Sequence, residues 1–192
     1  MMASYYHVDR VGTRLKQGQI LSLNYTGVGT RYQTNRAAFF SCLFPEGLSY
    51  HGWNYLLNDN RPKPDADLLG LIEMMAELTR RSFYPERPSR LQSVFCWRTI
   101  EDARRFVNEF PVTTSDGTAS HRGMIWRVRS EGQAFVADIR CLALGTCWIE
   151  SLLYLNRYWQ QQASESPLWE VLVRPPVLVE TMVEAVGGMD DV

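Results

Sequence analysis

Trp169-Glu170-Val171-Leu172-Val173-Arg174-Pro175-Pro176-Val177 is the stretch of this 192-residue chain on which its fold most depends. It predicts a short strand at residues 170–173, a break at the two prolines, and a second strand at 177–183, because proline has no N–H to contribute to a ladder. One acidic side chain, Glu170, begins an otherwise apolar strand. Alone, such a residue is more typical of a solvent-exposed strand end than of a functional site.

Outward from this stretch, strands and helices follow one another in an irregular order. Alternating apolar and polar side chains predict strands, and apolar residues that recur every three or four positions predict helices. The predicted elements are a strand at 4–10, a helix at 65–81, a strand at 91–97, a helix after Thr99, strands at 124–129 and 133–139 joined as a hairpin by Glu131-Gly132, and a helix at 146–162. Residues 21–57 fit neither pattern. This mixed order favours an α+β domain over a doubly wound one.

Each predicted helix carries apolar residues that indicate its buried side. These residues are Leu68, Leu71, Ile72, Met75 and Leu78 in the first helix, Ile100, Ala103, Phe106, Val107 and Phe110 in the second, and Ile149, Leu152, Leu153 and Trp159 in the third. Thr99 can cap the second helix, with Glu101 and Asp102 in its first turn.

Length and composition fit one packed domain, which we place at residues 1–185, followed by a disordered tail at 186–192. A chain of 192 residues that is 45% hydrophobic can bury a substantial core. No run of about 18 apolar residues and no basic leader is present, so we expect a cytoplasmic protein that does not bind membranes. The four cysteines form no CxxC pair and the histidines are far apart, so no metal site is expected. Cys42, Cys96 and Cys141 have apolar neighbours and are expected to be buried thiols.

The charge is nearly balanced, with a formal net charge of −1. The protein therefore lacks the strong positive field of a general nucleic-acid binder. Nearly all its basic residues are arginines, which bind phosphates and carboxylates through paired donors, although GC-rich codon usage explains the bias equally well. Arginines outnumber acids between residues 80 and 105, so a basic centre remains an open prediction.

Common catalytic signatures are absent: the sequence has no GxGxxG, Walker loop, HExxH or GxSxG. Three segments instead place polar side chains on or beside apolar strands. They are Tyr6-His7-Val8, Pro88-Ser89-Arg90-Leu91-Gln92-Ser93-Val94-Phe95-Cys96-Trp97 and Trp169-Glu170. Each segment alone is weak evidence of a site.

Taken together and in this order, the three segments resemble the active site of the ADP-ribosyltransferase superfamily. That superfamily has a first strand with His or Arg, a strand and helix that surround the nicotinamide, and a Glu at the head of a later strand. The Glu-Val-Leu-Val-Arg-Pro-Pro segment is similar to the one that follows the catalytic glutamate in many family toxins. The outline, with Tyr158-Trp159 on a late helix, also resembles a small bacterial domain family of unassigned function placed in this superfamily. The resemblance covers residues 5–183.

The resemblance implies an ADP-ribosyltransferase-like split β-sandwich with flanking helices, and an enzyme that uses NAD as its substrate without a metal. It makes Glu170 and His7 the catalytic residues. The implied NAD-binding residues are Tyr6, His7, Arg10, Arg90, Ser93, Phe95 and Trp97, with the two arginines on the pyrophosphate and Phe95 or Trp97 on the nicotinamide ring. The sequence departs from the family at Leu168, where many members have an acid, and at Val8, where glycine is usual. Acceptor chemistry is therefore not carried over.

The expected function is a bacterial toxin, of a toxin-antitoxin, phage-defence or effector kind, that modifies protein or nucleic acid and has a neutralising partner protein. One alternative is a metal-independent RNase with His7 and Glu170 as acid and base and Arg90 at the phosphate. Another is a catalytically silent module that binds ADP-ribose or a partner. Each candidate residue also has a structural reading, as a half-buried histidine, a surface ion pair or a core aromatic.

Overall fold

The computed structural model describes residues 2–10, 15–24, 34–56, 65–113, 119–120 and 122–187. The strands are β1 Ala3–Asp9, β2 Ile20–Leu21, β3 Val94–Trp97, β4 Val112–Thr113, β5 Ala119–Ser120, β6 Gly123–Ser130, β7 Ala134–Asp138, β8 Trp169–Val173 and β9 Val177–Val186. The helices are α1 Thr34–Leu43, α2 Tyr50–Leu56, α3 Asp65–Phe83, α4 Ile100–Glu109 and α5 Trp148–Trp159. The fold is therefore α+β, as the mixed order of elements predicts.

Seven strands form one antiparallel sheet in the order β2-β9-β6-β1-β3-β8-β7. One face packs against helices α3, α4 and α5. The other face carries a core cluster built from strand residues, including Val128, Val171, Val177 and Val179, which have no exposed surface. Because these valines come from both halves of the sheet, the sheet curls over its own apolar face.

Two short connections require this curl. Four strand spacings separate β6 from β7 in the sheet order, and four separate β8 from β9, which is about 19 Å in a flat sheet. Each pair is joined by residues 131–133 or 174–176, and those four Cα steps span at most about 14 Å. The two connections also touch, because the backbone N–H of Arg174 donates to the Gln133 carbonyl at 3.2 Å.

The predicted hairpin of residues 124–129 and 133–139 is wrong, although both strands exist. β6 pairs with β1 and β9, whereas β7 pairs with β8. Four successive antiparallel pairings separate β6 from β7, so the two strands run in the same direction. The chain therefore keeps its direction through Glu131-Gly132 and passes from one side of the curled sheet to the other. It does not reverse there, as it would in a hairpin.

The predicted buried faces of two helices are also wrong in part, although Ile72 and Trp159 are buried as predicted. On α3, Leu68, Leu71 and Leu78 are exposed, and Ile72, Glu73, Ala76 and Glu77 are buried. The buried face is displaced by about one residue because arginines inside the protein bind the two glutamates. On α5, Ile149, Leu152 and Leu153 are exposed, whereas Ser151, Leu155, Tyr158 and Trp159 are buried. Both helices thus turn polar side chains inward.

The prediction for α4 is confirmed. Thr99 caps the helix by accepting a hydrogen bond from the Asp102 N–H at 3.1 Å, and Ala103 and Val107 are buried. The predicted strand at 91–97 is shorter, because Arg90–Gln92 forms a 3₁₀ turn before β3. β9 extends to Val186, inside the predicted tail, and residues 188–192 lie outside the described residues.

The cysteines are free thiols. Cys96 and Cys141 are buried as predicted, but Cys42 is exposed, so that part of the prediction is wrong. Within the described part of the chain, no helix is long and apolar enough to cross a membrane.

Gly132 tests the contact between the two connections. A Cβ on Gly132 would lie 2.4 Å from the Arg174 carbonyl oxygen, so Gly132→Ala forces the backbone apart and is expected to lower the free energy of unfolding by about 1–3 kcal/mol. Gly70→Ala is the matched control, because its Cβ meets nothing within 4 Å and it lies inside α3. That variant is expected to gain about 0.5–1 kcal/mol in urea titrations. Equal stabilities of the two variants would contradict the proposed packing.

Candidate functional site

Three of the predicted site residues lie side by side across neighbouring strands. Tyr6 of β1 is paired with Trp97 of β3, and Trp97 is paired with Glu170 of β8. Directly paired residues project from the same face of a sheet. Tyr6, Trp97 and Glu170 therefore form one row on the face that the helices cover.

Arg90 binds Glu170 from the 3₁₀ turn that precedes β3. Its Nη1 donates to Glu170 Oε1 and, at 2.6 Å, to the Tyr158 hydroxyl oxygen. The Tyr158 hydroxyl in turn donates to Glu170 Oε1 at 2.7 Å. Arg90 and Glu170 are 3% and 1% exposed, so this contact is closed to water.

A second carboxylate, Glu73 of α3, binds the opposite edge of the same guanidinium. Nε and Nη2 of Arg90 donate to Glu73 Oε2 and Oε1, both at 3.0 Å, in a side-on pair. His51 of α2 lies beyond it, with Nε2 3.2 Å from Glu73 Oε1. We call His51, Glu73, Arg90, Tyr158 and Glu170 the Arg90 cluster.

The two carboxylates of the Arg90 cluster differ in pKa. Burial alone would raise the pKa of Glu73, but Arg90 and His51 hold it below its ordinary value. Burial also raises the pKa of Glu170, and there the opposing effects of Arg90 and Tyr158 do not cancel it. Arg90 stays charged, since its two carboxylate partners outweigh the burial that lowers its pKa. Of the two carboxylates, Glu170 is therefore the one that accepts a proton more readily.

A half-exposed aromatic rim lies against the cluster. The His51 ring is 4.0 Å from the Phe95 ring and 4.2 Å from the Tyr55 ring, measured between centroids. The Arg90 guanidinium lies 4.6 Å from the Phe95 ring centroid. Phe95 and Tyr55 are half-buried, so they can present ring surface to a ligand next to the buried charges.

His7 follows Tyr6 directly in β1, so its side chain projects from the other face of the sheet, away from the row of Tyr6, Trp97 and Glu170. Its Nδ1 donates to the Phe95 carbonyl oxygen at 2.7 Å. β1 and β3 share a single residue pair, so this side-chain bond bridges the strands where they separate. Burial lowers the pKa of His7, which favours the neutral ring with Nε2 as an acceptor.

Three of the predicted site residues, including Trp97 of the row, make contacts outside the Arg90 cluster. The Arg10 guanidinium stacks 4.0 Å from the Phe106 ring centroid, and burial lowers its pKa to about 10. Ser93 is buried and donates to the Ser89 carbonyl at 2.7 Å, which holds the 3₁₀ turn. Trp97 is 1% exposed and packs 4.3 Å from Phe106, so it is a core residue.

Sequence reasoning missed Glu73, His51, Tyr55 and the role of Tyr158. Glu73 and Glu77 stand four residues apart on a helix whose stripe was interpreted as purely apolar, and this spacing could have indicated an acidic inner face. His51 and Tyr55 fall in the segment that fitted no pattern. In the described residues, no group of three or more His, Cys, Asp and Glu side chains is arranged to hold a metal ion.

Comparison with known proteins identifies a family for this chain. A family model described as a protein of unknown function (DUF2441) matches residues 5–185. No curated protein matches the chain.

Arg90 is expected to be essential for stability. Arg90→Met leaves two carboxylates buried without their cation, so we expect the free energy of unfolding to fall by about 3–5 kcal/mol. Glu170→Gln retains an oxygen acceptor for Tyr158 and Arg90, and Arg90 keeps Glu73, so a change of about 1 kcal/mol is expected. Urea unfolding of both variants measures these changes in the free energy of unfolding. A wild-type-like midpoint for Arg90→Met would show that the cluster is not formed as described.

Acid pH is expected to weaken the fold through Glu73 and Glu77. Burial alone would raise the pKa of Glu77, but hydrogen bonds from Arg80, Arg81 and Ser89 and the charge of Arg80 hold it low. Below about pH 4.3 the unfolded chain takes up protons that the folded chain does not, so stability falls as pH falls. The free energy of unfolding, measured from pH 5 downward, should fall less steeply with pH in Glu77→Gln than in the wild type. Glu131→Gln, at an exposed turn, should keep the wild-type slope, and equal slopes in all three proteins would contradict the assignment.

Proposed function

The chain belongs to the DUF2441 family of proteins of unknown function, and we propose that it is an NAD-dependent ADP-ribosyltransferase with Glu170 as its catalytic carboxylate. The observation that carries the proposal is the row of Tyr6, Trp97 and Glu170 on β1, β3 and β8. The three segments that resemble the transferase active site are far apart in sequence, and neighbouring strands bring them together.

The architecture supports the same proposal. The sheet curls on itself, and β1 and β3 share only the Tyr6–Trp97 pair before they separate. We interpret this as a split β-sandwich with flanking helices, in which the opening between β1 and β3 receives NAD. His7 bridges that opening through the Phe95 carbonyl.

In the proposed reaction the bond between the nicotinamide nitrogen and ribose C1 breaks, and nicotinamide leaves with the bonding electron pair. The positive charge that develops on the ribose is stabilised by ionised Glu170 in a site with little water. An oxygen or nitrogen of the acceptor then bonds to C1, and its proton passes to a base. The raised pKa of Glu170, caused first by burial, makes its carboxylate a better base than an exposed one.

The geometry supports assigning ring stacking and pyrophosphate binding to particular residues among the predicted NAD-binding set. Phe95 and the rings of His51 and Tyr55 are half-exposed, so we assign ring stacking to Phe95 and not to buried Trp97. Arg90 uses Nε, Nη1 and Nη2 on carboxylates and Tyr158. We therefore assign the pyrophosphate to Arg10, at the end of β1.

The acceptor is a macromolecule in this proposal, and the protein acts in the bacterial cytoplasm as a toxin with a neutralising partner. The arginines at residues 80–105 do not favour nucleic acid over protein, because most of them pair with carboxylates. These pairs join Arg80 and Arg81 to Glu77, Arg87 to Glu86, Arg90 to Glu73 and Glu170, Arg104 to Glu101 and Glu184, and Arg105 to Asp102 and Glu109.

One alternative gains support from a specific observation. Glu170 is 1% exposed, which fits a catalytically silent module that binds ADP-ribose or a partner at the aromatic rim. The RNase alternative is less well supported, because it needs His7 and Glu170 to act on one phosphate and the two residues project from opposite faces of the sheet.

The test is transfer of label from NAD to cell protein, RNA and DNA, analysed as separate fractions. We expect label in one fraction and a loss of about a hundredfold or more with Glu170→Gln, comparable to removing one charge-stabilising group from an active site. Glu180→Gln is the matched control, because Glu180 is a strand glutamate that also pairs with arginine, in its case Arg127 and Arg129. NAD binding without nicotinamide release would favour the silent module, and RNA cleavage without NAD would favour the RNase.

A further inference from the structure

The Arg90 cluster contains two carboxylates, whereas the proposed reaction uses only Glu170. Glu73 takes the two-point, side-on contact with Nε and Nη2 of Arg90. Glu170 receives only Nη1, which it shares with the Tyr158 hydroxyl. Because a guanidinium is planar and its N–H groups have fixed directions, the two-point contact sets the plane of the whole group.

We propose that Glu73 is a positioning residue of this site, which fixes the Arg90 guanidinium through its side-on pair and so limits Glu170 to a single Arg90 nitrogen. The kinetic consequence of this inference rests on the proposed transferase function, but its structural consequence does not.

Charge balance gives the reason for such an arrangement. One Arg90 cation faces two carboxylates, and because Glu73 takes two of its nitrogens and Glu170 only one, the Glu170 charge is incompletely neutralised. A carboxylate that stabilises a developing positive charge must keep its own negative charge available. Without Glu73, Arg90 could turn toward Glu170 and neutralise it.

The groups that face this contact come from five elements. They are His51 of α2, Glu73 of α3, Arg90 of the 3₁₀ turn, Tyr158 of α5 and Glu170 of β8. Loss of the Glu73 charge removes a repulsion on Glu170 and frees donors of Arg90, and both effects lower the pKa of Glu170.

Glu77 offers a matched control on the same helix. It lies one turn after Glu73, is buried to a similar extent, and also binds arginine. Its partners are Arg80, Arg81 and the Ser89 hydroxyl, and not the Arg90 guanidinium. A general effect of removing a buried glutamate from α3 should therefore appear in both variants, whereas the proposed effect should appear only in Glu73→Gln.

The first experiment is a pH titration of protein labelled with ¹³C at glutamate side-chain carboxyls, with the Glu170 signal assigned by its loss in Glu170→Gln. We expect the Glu170 midpoint to fall by about one pH unit, a tenfold change in proton affinity, in Glu73→Gln. The midpoint in Glu77→Gln should equal that of wild type. An unchanged Glu170 midpoint in folded Glu73→Gln would overturn the proposal.

The second experiment measures NAD turnover. In Glu73→Gln we expect kcat to fall about tenfold, the KM for NAD to stay unchanged, and the acid limb of the kcat profile to move to lower pH. A purely structural role would lower the active fraction without moving that limb. If the wild type does not turn over NAD, the proposed function fails, and the carboxyl titration still decides the role of Glu73.

A third measurement covers the case in which Glu73→Gln does not fold. In wild-type protein, the side-on pair should stop rotation of the Arg90 guanidinium, so its Nη1 and Nη2 protons should give separate ¹⁵N-correlated signals. Glu73→Asp keeps the charge but shortens the reach, and the signals should merge. A single averaged signal in the wild type would overturn the proposal.

Discussion

The contact between Arg90 and its two carboxylates holds the centre of this protein together. One guanidinium joins the 3₁₀ turn before β3 to α3, α5 and β8 through Glu73, Tyr158 and Glu170. Withdrawing these charges from water is costly, and a buried ion pair is often no more stable than well-packed apolar residues. We therefore relate the cluster to the proposed function, in which it sets the charge on Glu170, and not to a net gain in stability.

Local signals in the sequence predicted individual elements well and their partners poorly. The Thr99 cap and the stripe of α4 depend on residues within ten positions, and both are found in the structure. The hairpin at Glu131-Gly132 was wrong because strand pairing depends on the curl of the whole sheet, which no short window contains. The buried face of α3 was wrong for a related reason. Glu73 and Glu77 are buried because arginines from the 3₁₀ turn and from α3 itself bind them, and a stripe of leucines carries no information about such partners.

The candidate site was predicted in part because its strands carry recognisable segments. Glu170 and Arg90 were identified from their segments, and the structure brings them into contact. The predicted role of Arg90 on a pyrophosphate fits the geometry poorly, since Glu73 and Glu170 already bind its donors. Glu73 and Tyr158 come from helices, where the spacing of Glu73 and Glu77 indicates an acidic face but does not identify the distant arginine that binds it. His51 and Tyr55 lie on α2, a helix of seven residues that is too short for periodicity to show.

α2 is attached directly to the 3₁₀ turn that carries Arg90. The Leu91 carbonyl oxygen accepts hydrogen bonds from the backbone N–H and the hydroxyl of Ser49, both at 3.0 Å. Gly52 lies so close to that carbonyl that a Cβ would be 2.1 Å from it. α2 and the 3₁₀ turn therefore form one tightly packed unit. Because α2 carries the His51 and Tyr55 part of the rim and the turn carries Arg90, this packing fixes the rim next to the contact between Arg90 and Glu170. In the proposed transferase, the ring-stacking surface and the arginine that sets the charge on Glu170 are therefore held by one packed unit, although they come from separate segments of the chain.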